Sequence, residues 1–370
     1  MRVAIVHDWL NQRGGAEEVL EVLHAIFPSA PIFTSIFVPE VMPAEYRSWP
    51  VYTSFLQRLP AVDRYHRALL PLYPAAFRSF DLSGYDLVIS NSSGFCHGVA
   101  TTDATCHINY CLTPPRYVWG LDQYAAREQL GTMAKAVLPL VTRHLRRWDL
   151  RAAAGIDHFI AISRVVQERI GRFYGREAAI IYPPVNTSDL HTTIERGDYF
   201  LIVSRLVPYK RIDLAVAAFN EVGWPLLVVG EGRDRAALER LASPNVQFLG
   251  RRPRDEVREL MARCRAFIFP GEEDFGIAPV EAQAAGRPVI AYAGGGALET
   301  VLDGVSGLFF RETTPQSLVE ALIRFSQIEQ SFDARVIREH AQRFDTSVFR
   351  ERITAFIADR IGAGVASRGD

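Results

Sequence analysis

The sequence predicts an α/β protein built from two doubly wound parallel-sheet domains. Three observations carry this expectation. The chain has 370 residues, which at roughly 150 residues per domain makes two, each large enough for its own core. Its second half alternates short apolar runs with amphipathic helical stretches. Those runs are apolar throughout rather than at every second position, so both faces of each strand are to be buried, as in a parallel sheet covered by helices on each side.

In the second half, Tyr199–Ser204 is an apolar run of strand length, and Arg211–Val222 places Ile212, Ala215, Val216 and Phe219 on one helical face. The pattern recurs as strand Leu226–Val229 with helix Arg235–Leu241, and strand Val246–Leu249 with helix Asp255–Ala262. It continues as strand Ala266–Phe269 with helix Pro279–Ala285, and strand Pro288–Ala291 with helix Leu298–Leu302. The first half repeats the style less cleanly: strand Val3–Val6, a Gly14-Gly15 turn, helix Ala16–Phe27, then strands Asp86–Ser90, Cys106–Cys111 and His158–Ser163. Tyr182-Pro183-Pro184-Val185-Asn186 interrupts regular structure, and Thr187–Asp198 is polar without periodicity, so the linker is expected there. Residues 1–185 then form one domain and 186–344 the other, with a helix over about 345–362 packing back on the first. Open α/β sheets bind ligands beyond the carboxyl ends of their strands, so the loops following strands should face a cleft between the domains.

Lys plus Arg number 41 and Asp plus Glu 42, giving a formal charge of −1. That balance excludes a protein wrapped in nucleic acid. Cys96, Cys106, Cys111 and Cys264 form no Cys-x-x-Cys pair and have no histidine at zinc-finger spacing, so a reducing compartment fits best. Met1 to Asp8 runs from a short strand into charge, unlike a signal peptide, and no 18 apolar residues run together. A cytoplasmic protein is expected, with any membrane role peripheral, on the inner face of the cytoplasmic membrane. Lys135–Arg151 is the segment suited to that role. It sets Arg143, Arg146, Arg147 and Arg151 among Leu138, Leu140, Val141, Leu145 and Trp148, a basic amphipathic pattern that fits an anionic surface or, equally, a helix packed on the sheet with its arginines in water.

The segment Phe269-Pro270-Gly271-Glu272-Glu273-Asp274-Phe275-Gly276-Ile277-Ala278-Pro279-Val280-Glu281 reads as a strand end, a glycine-bearing loop and a helix start. Glu281, expected in the first helical turn after Pro279, can accept both hydroxyls of a ribose. Glu273 sits on the loop, where it can face a sugar held against the backbone N–H groups of Phe275, Gly276 and Ile277. An acidic loop with a capping glutamate has the same spacing. Ser204-Arg205-Leu206-Val207-Pro208-Tyr209-Lys210-Arg211 also joins a strand to a helix, and its Arg205 and Lys210 suit a diphosphate whose charge grows as a sugar departs. Gly14-Gly15 and Gly294-Gly295-Gly296 each follow a strand and precede a helix, where missing side chains let backbone N–H groups approach phosphate or sugar. Gly230-Glu231-Gly232 lacks the third glycine of the dinucleotide fingerprint and is weak as a sign of NAD.

On these motifs the chain resembles the retaining glycosyltransferases of family 4, whose GT-B architecture has two Rossmann-like domains. The family's Glu-x7-Glu signature falls on Glu273 and Glu281, its Arg/Lys phosphate pair on Arg205 and Lys210, and its amino-terminal glycine loop on Gly14 and Gly15. The stretch Phe269–Thr300 is most similar to bacterial O-antigen mannosyltransferases. The resemblance implies GDP-mannose as donor, a lipid-linked oligosaccharide or polysaccharide as acceptor, and no cofactor. No Asp-x-Asp pair occurs that would clamp a divalent metal, so a metal-independent reaction is expected. The chain departs from the family at Leu112, where many relatives carry a histidine. His97 is the alternative candidate to meet the donor sugar, through its carbonyl or imidazole; Asp8 and Arg116 are candidates on the acceptor side. The competing readings are a glycoside hydrolase, a nucleotide-sugar epimerase and a nucleotide-sugar-binding protein without turnover. A hydrolase needs its two carboxylates on opposite sides of the scissile bond, and Glu281 at a helix start is poorly placed as its acid.

Overall fold

The computed structural model describes residues 1–60, 62, 66–120 and 132–367. They fall into two compact units, Met1–Tyr182 with Arg350–Asp370, and Pro183–Phe349.

The first unit holds β1 (Val3–His7), β2 (Ile32–Thr34), β3 (Val51–Thr53), β4 (Leu87–Ser92), β5 (Cys106–Cys111), β6 (His158–Ala161) and β7 (Ala178–Ile180). All pair in parallel in the order β3-β2-β1-β4-β5-β6-β7. The second unit holds β8 (Phe200–Val203), β9 (Leu226–Val229), β10 (Val246–Gly250), β11 (Phe267–Phe269), β12 (Val289–Tyr292) and β13 (Gly307–Phe310), again parallel, in the order β10-β9-β8-β11-β12-β13. In both sheets the third, second and first strands lie on one side and the fourth onward on the other. The chain therefore reverses its winding between the first and fourth strands, where a doubly wound sheet opens a crevice for ligand.

Burial explains the patterning. β1 and β4 are buried at every position, and on the helix Gly15–Ile26 the inward residues are Val19, Leu20 and Leu23. In the second unit Phe200, Phe219 and Phe325 meet around Leu214, Val216 and Val228. Each such side chain contributes about 1.5–3 kcal/mol on burial. Helix ends follow local chemistry: the Ser163 hydroxyl caps the helix Arg164–Tyr174 through the N–H of Val166, and Gly175 closes it in the left-handed conformation.

The two units divide at Tyr182–Pro183, inside the expected interruption, but the polar stretch after it is not a free linker. Thr187–Asp198 folds onto the second unit, where the Thr187 hydroxyl donates to Asp345 at 2.6 Å and Leu190 is buried. Arg338 donates to the carbonyls of Leu190 and Thr187, and the buried Arg287 to that of Thr193. Beyond the single 3-10 turn Thr187–Asp189, distant arginines rather than a helix or a ladder satisfy its carbonyls, so the segment lacks periodicity. The last helix, Thr346–Ser367, crosses from the second unit to the first at Arg350.

The helix Thr132–Ala154 turns Leu145 and Asp149 inward and packs Val141 and Trp148 on the first core. Those apolar residues are therefore unavailable to a membrane. The exposed stripe carries Leu140, Arg143, Arg147, Leu150 and Arg151, while Arg146 lies over the Trp119 ring at 4.9 Å. Lys135 and Leu138 lie outside the described side chains. Among the described residues, no helix is long and apolar enough to cross a membrane.

His107 on β5 is buried, with Nε2 2.8 Å from the Ser90 hydroxyl. Burial, reinforced by nearby His97, pushes its pKa down to about 3. The unfolded chain takes up that proton near pH 6.5 while the folded chain does not, so stability falls as pH drops from about 6.5 towards 3, by up to about 1.4 kcal/mol per pH unit. The variant His107→Gln should remove that contribution. Urea midpoints at pH 7, 6 and 5 check this: parallel slopes for variant and wild type would reject the buried neutral histidine as a source.

Candidate functional site

The loop Ser204–Arg211 leaves the carboxyl end of β8, and the loop Pro270–Gly276 leaves that of β11, so both flank the crevice of the second sheet. They pack backbone to backbone. A side chain at Gly271 would meet the carbonyls of Tyr209 and Lys210 at 2.8 Å. This closeness brings Lys210 Nζ and Glu273 Oε2 into an ion pair, with side chains 13% and 21% exposed. Arg205 is exposed and donates through Nη2 to the Tyr209 hydroxyl at 3.0 Å, and the Lys210 ammonium also lies 5.3 Å from the Tyr209 ring centre. Two cations and one carboxylate thus meet where the chain leaves two central strands. A diphosphate there would meet the exposed Arg205 and would have to draw the Lys210 ammonium from Glu273.

The helix Ile277–Ala284 begins earlier than expected, after Gly276 in the left-handed region at φ 93°. Glu281 is therefore in its second turn, beyond the strongest influence of the helix dipole, and a cation holds it instead: Arg254 lies 3.9 Å away. Phe275 is 3% exposed and its ring packs edge-on against Phe344, so only its backbone is available to a ligand.

The glycines of this unit serve the loops themselves. Gly295, at φ 58°, would set a side chain 2.2 Å from the carbonyl of Glu273, and the Gly296 N–H donates to that carbonyl at 2.8 Å. The expectation that this N–H is offered to phosphate or sugar is corrected accordingly: it holds the Glu273 loop. Gly230 and Gly232 let the chain after β9 lie against Ser204 and Leu206, with the Leu206 N–H bonded to the carbonyl of Glu231 at 2.9 Å. They shape the Arg205 loop and form no dinucleotide fingerprint.

In the first unit the corresponding loops follow β1 and β4. Gly14 precedes the helix Gly15–Ile26, as expected of the glycine turn. Its first turn is tied to the sheet by a buried cluster: His7 Nε2 lies 3.3 Å from Glu17, and the Asn91 amide lies 3.2 Å from His7 Nδ1 and donates to the carbonyl of Ala16. Asp8 does not face an acceptor. It is 2% exposed, and its oxygens accept the N–H groups of Ser93, Phe95 and Cys96 at 2.6–2.9 Å, fastening the end of β1 to the loop after β4. The His97 imidazole is likewise turned inward, 3.0 Å from Asp149 of the helix Thr132–Ala154, leaving at most its backbone for a sugar. Arg116 opens the short helix Arg116–Trp119 after β5 and is half-buried.

Sequence reasoning missed Gly271, Tyr209, Arg254, Glu17, Asn91 and Asp149. Glu17, three residues after Gly14, was the most visible of them. Among the described residues, no group of three metal-ligating side chains converges.

Two parallel sheets of this strand order, joined in one chain, define the GT-B class of fold. Anabaena HepE, solved in complex with UDP, has a TM-score of 0.70 at 19% identity, over 97% of this chain and all of that one. Residues 189–344 match the family model described as glycosyl transferases group 1. The chain is 30% identical over 186 residues to an uncharacterized glycosyltransferase of Methanocaldococcus jannaschii, covering 48% of this chain and 52% of the relative. It is 35% identical over 170 residues to a GDP-mannose-dependent monoacylated alpha-(1-6)-phosphatidylinositol monomannoside mannosyltransferase of Corynebacterium glutamicum, covering 41% and 44%. The chain spans about half the length of these curated relatives. The match to the family model lies within the second unit and covers less than half of the chain.

Proposed function

We propose that the protein is a retaining hexosyltransferase that takes mannose from GDP-mannose and passes it to a hydroxyl of a lipid-linked oligosaccharide or polysaccharide. The meeting of Lys210 and Glu273 beside Arg205 carries this reading, because one ligand with an anionic diphosphate and a neutral sugar satisfies all three. The acceptor oxygen attacks the anomeric carbon on the face from which the diphosphate leaves. The carbon–oxygen bond to phosphate breaks as the new glycosidic bond forms, and the acceptor proton passes to the departing phosphate oxygen. Arg205 and Lys210 stabilise the growing negative charge without a metal, Glu273 orients the sugar and faces its developing positive charge, and Glu281 holds the ribose. The backbone of Phe275, Gly276 and Ile277 borders the donor. The donor assignment leans on the Corynebacterium relative, whose name states GDP-mannose dependence. The exposed Leu140, Arg143, Arg147, Leu150 and Arg151 support docking on an anionic membrane surface that would carry the acceptor.

Incubation of the full chain with radiolabelled GDP-mannose, with and without a bacterial lipid extract, tests the reading. Label should enter the lipid phase with release of GDP. Isomerised sugar in the absence of extract would point to an epimerase, and donor returned unchanged in both arms would leave a binding protein.

A further inference from the structure

The loop that carries Glu273 is braced from behind by a part of the chain distant in sequence. After β12 come Gly294, Gly295 and Gly296, and a side chain at Gly296 would lie 2.3 Å from Cα of Phe275, so the two loops touch backbone to backbone. The Gly296 N–H holds the Glu273 carbonyl at 2.8 Å. The Gly296 carbonyl accepts in turn the N–H groups of Glu299 and Thr300, at 3.0 and 3.1 Å, and the Thr300 hydroxyl at 3.2 Å. These bonds close the helix Ala297–Thr300. So short a helix is not stable alone, and its place is set by what it packs against.

His340 supplies that support. It lies on the helix Ala334–Ala341, is 7% exposed, and its Nε2 is 3.0 Å from the carbonyl of the fully buried Thr300. A carbonyl only accepts, so Nε2 carries the proton. Burial lowers the pKa of the ring, which keeps it neutral and in that tautomer at neutral pH. The same ring meets Phe344 at 5.8 Å, and Phe344 packs edge-on against Phe275 at 5.5 Å. One histidine thus reaches both ends of the segment Glu273–Phe275, through hydrogen bonds at Glu273 and through rings at Phe275. Arg338, on the same helix, serves more widely: it donates to the carbonyls of Ala284, Leu190 and Thr187 and ties down the unit at large.

The inference rests on the reading of Glu273 as the group that faces the departing sugar. We propose that His340 is a positioning residue for transfer, which fixes Glu273 through Thr300 and Gly296 without meeting substrate. A displacement on the order of 1 Å at a reacting centre costs up to about a hundredfold in rate, whereas the donor is gripped by groups that His340 does not hold, Arg205, Lys210 and Glu281.

Steady-state transfer from GDP-mannose to a bacterial lipid extract tests this, using wild type, His340→Phe, His340→Asn and His340→Gln. Phenylalanine keeps a ring beside Phe344 but has no N–H. Asparagine is smaller than histidine and carries its amide too near the backbone to reach Thr300, whereas glutamine sets an N–H where Nε2 was. The first two variants should lose about tenfold to a hundredfold in kcat with KM for the donor within about threefold of wild type, and His340→Gln should return kcat to within about threefold. Should His340→Phe not fold, His340→Asn carries the same comparison. A merely structural histidine would lower the urea midpoint of all three and leave kcat per folded molecule unchanged. A kcat within about threefold of wild type in the first two variants, or a His340→Gln enzyme no faster than they are, overturns the role of His340 and leaves the donor site standing. A wild type that transfers no mannose removes the donor reading, and this inference with it.

Discussion

The variant Lys210→Ala is expected to transfer sugar about a hundredfold to a thousandfold more slowly than the wild type, a loss of about 2.7–4 kcal/mol of transition-state stabilisation. The size follows from what the ammonium would meet. The diphosphate gains charge only as the sugar leaves, so a fixed cation beside it stabilises the transition state more than the bound donor, and kcat should fall while KM changes much less. Removing the lysine also deprives Glu273 of its partner in the empty site, where the two form an ion pair with little exposure. Lys210→Arg, which keeps the charge, should restore part of the rate. Steady-state kinetics of GDP release in the presence of acceptor give both constants. A Lys210→Ala enzyme that keeps kcat within about threefold of wild type would remove Lys210 from the leaving-group role.

The second large effect is expected at Gly230, on stability. Its φ is 132°, a region that residues with side chains rarely adopt, and an added methyl would lie 1.9 Å from the carbonyl of Ser204. Backbone strain of about 1–3 kcal/mol adds to an overlap costing about 1–3 kcal/mol, so Gly230→Ala should lose about 4 kcal/mol of unfolding free energy in the second unit. The obstacle is backbone and cannot rotate away, so relief requires moving the segment Ser204–Leu206, which carries Arg205. Urea unfolding followed by tryptophan fluorescence measures the stability. Nucleotide titration of the folded variant should show weakened binding as well, and a variant of native stability would mean that the two loops do not approach as described.

How much of this was legible depends on whether a feature is local. β8 to β12 were readable because each is a short apolar run closed by a loop, and β9 and the helix Arg235–Leu241 were placed at their observed limits. β2, β3 and β7, three residues each, escaped. β13 escaped at four, and the helix Pro315–Ile328 after it was overlooked although Thr314 caps it and Pro315 opens it. Thr187–Asp198 read as a linker because carbonyls satisfied by Arg287 and Arg338 leave no trace in neighbouring residues.

The site divides along the same line. The order of residues alone determined the two-sheet class, the family resemblance and the loops that bear charge, since each is written in a spacing of a few residues along one segment. Only the folded chain decided what those charges meet. It joined Lys210 to Glu273 across 63 positions and Arg254 to Glu281 across 27, and it turned Asp8 and His97 inward, to the backbone of 93–96 and to Asp149. Whether a polar side chain faces ligand or interior depends on which N–H groups and charges the sheet delivers beside it. In a parallel sheet those come from the ends of strands far apart in the chain.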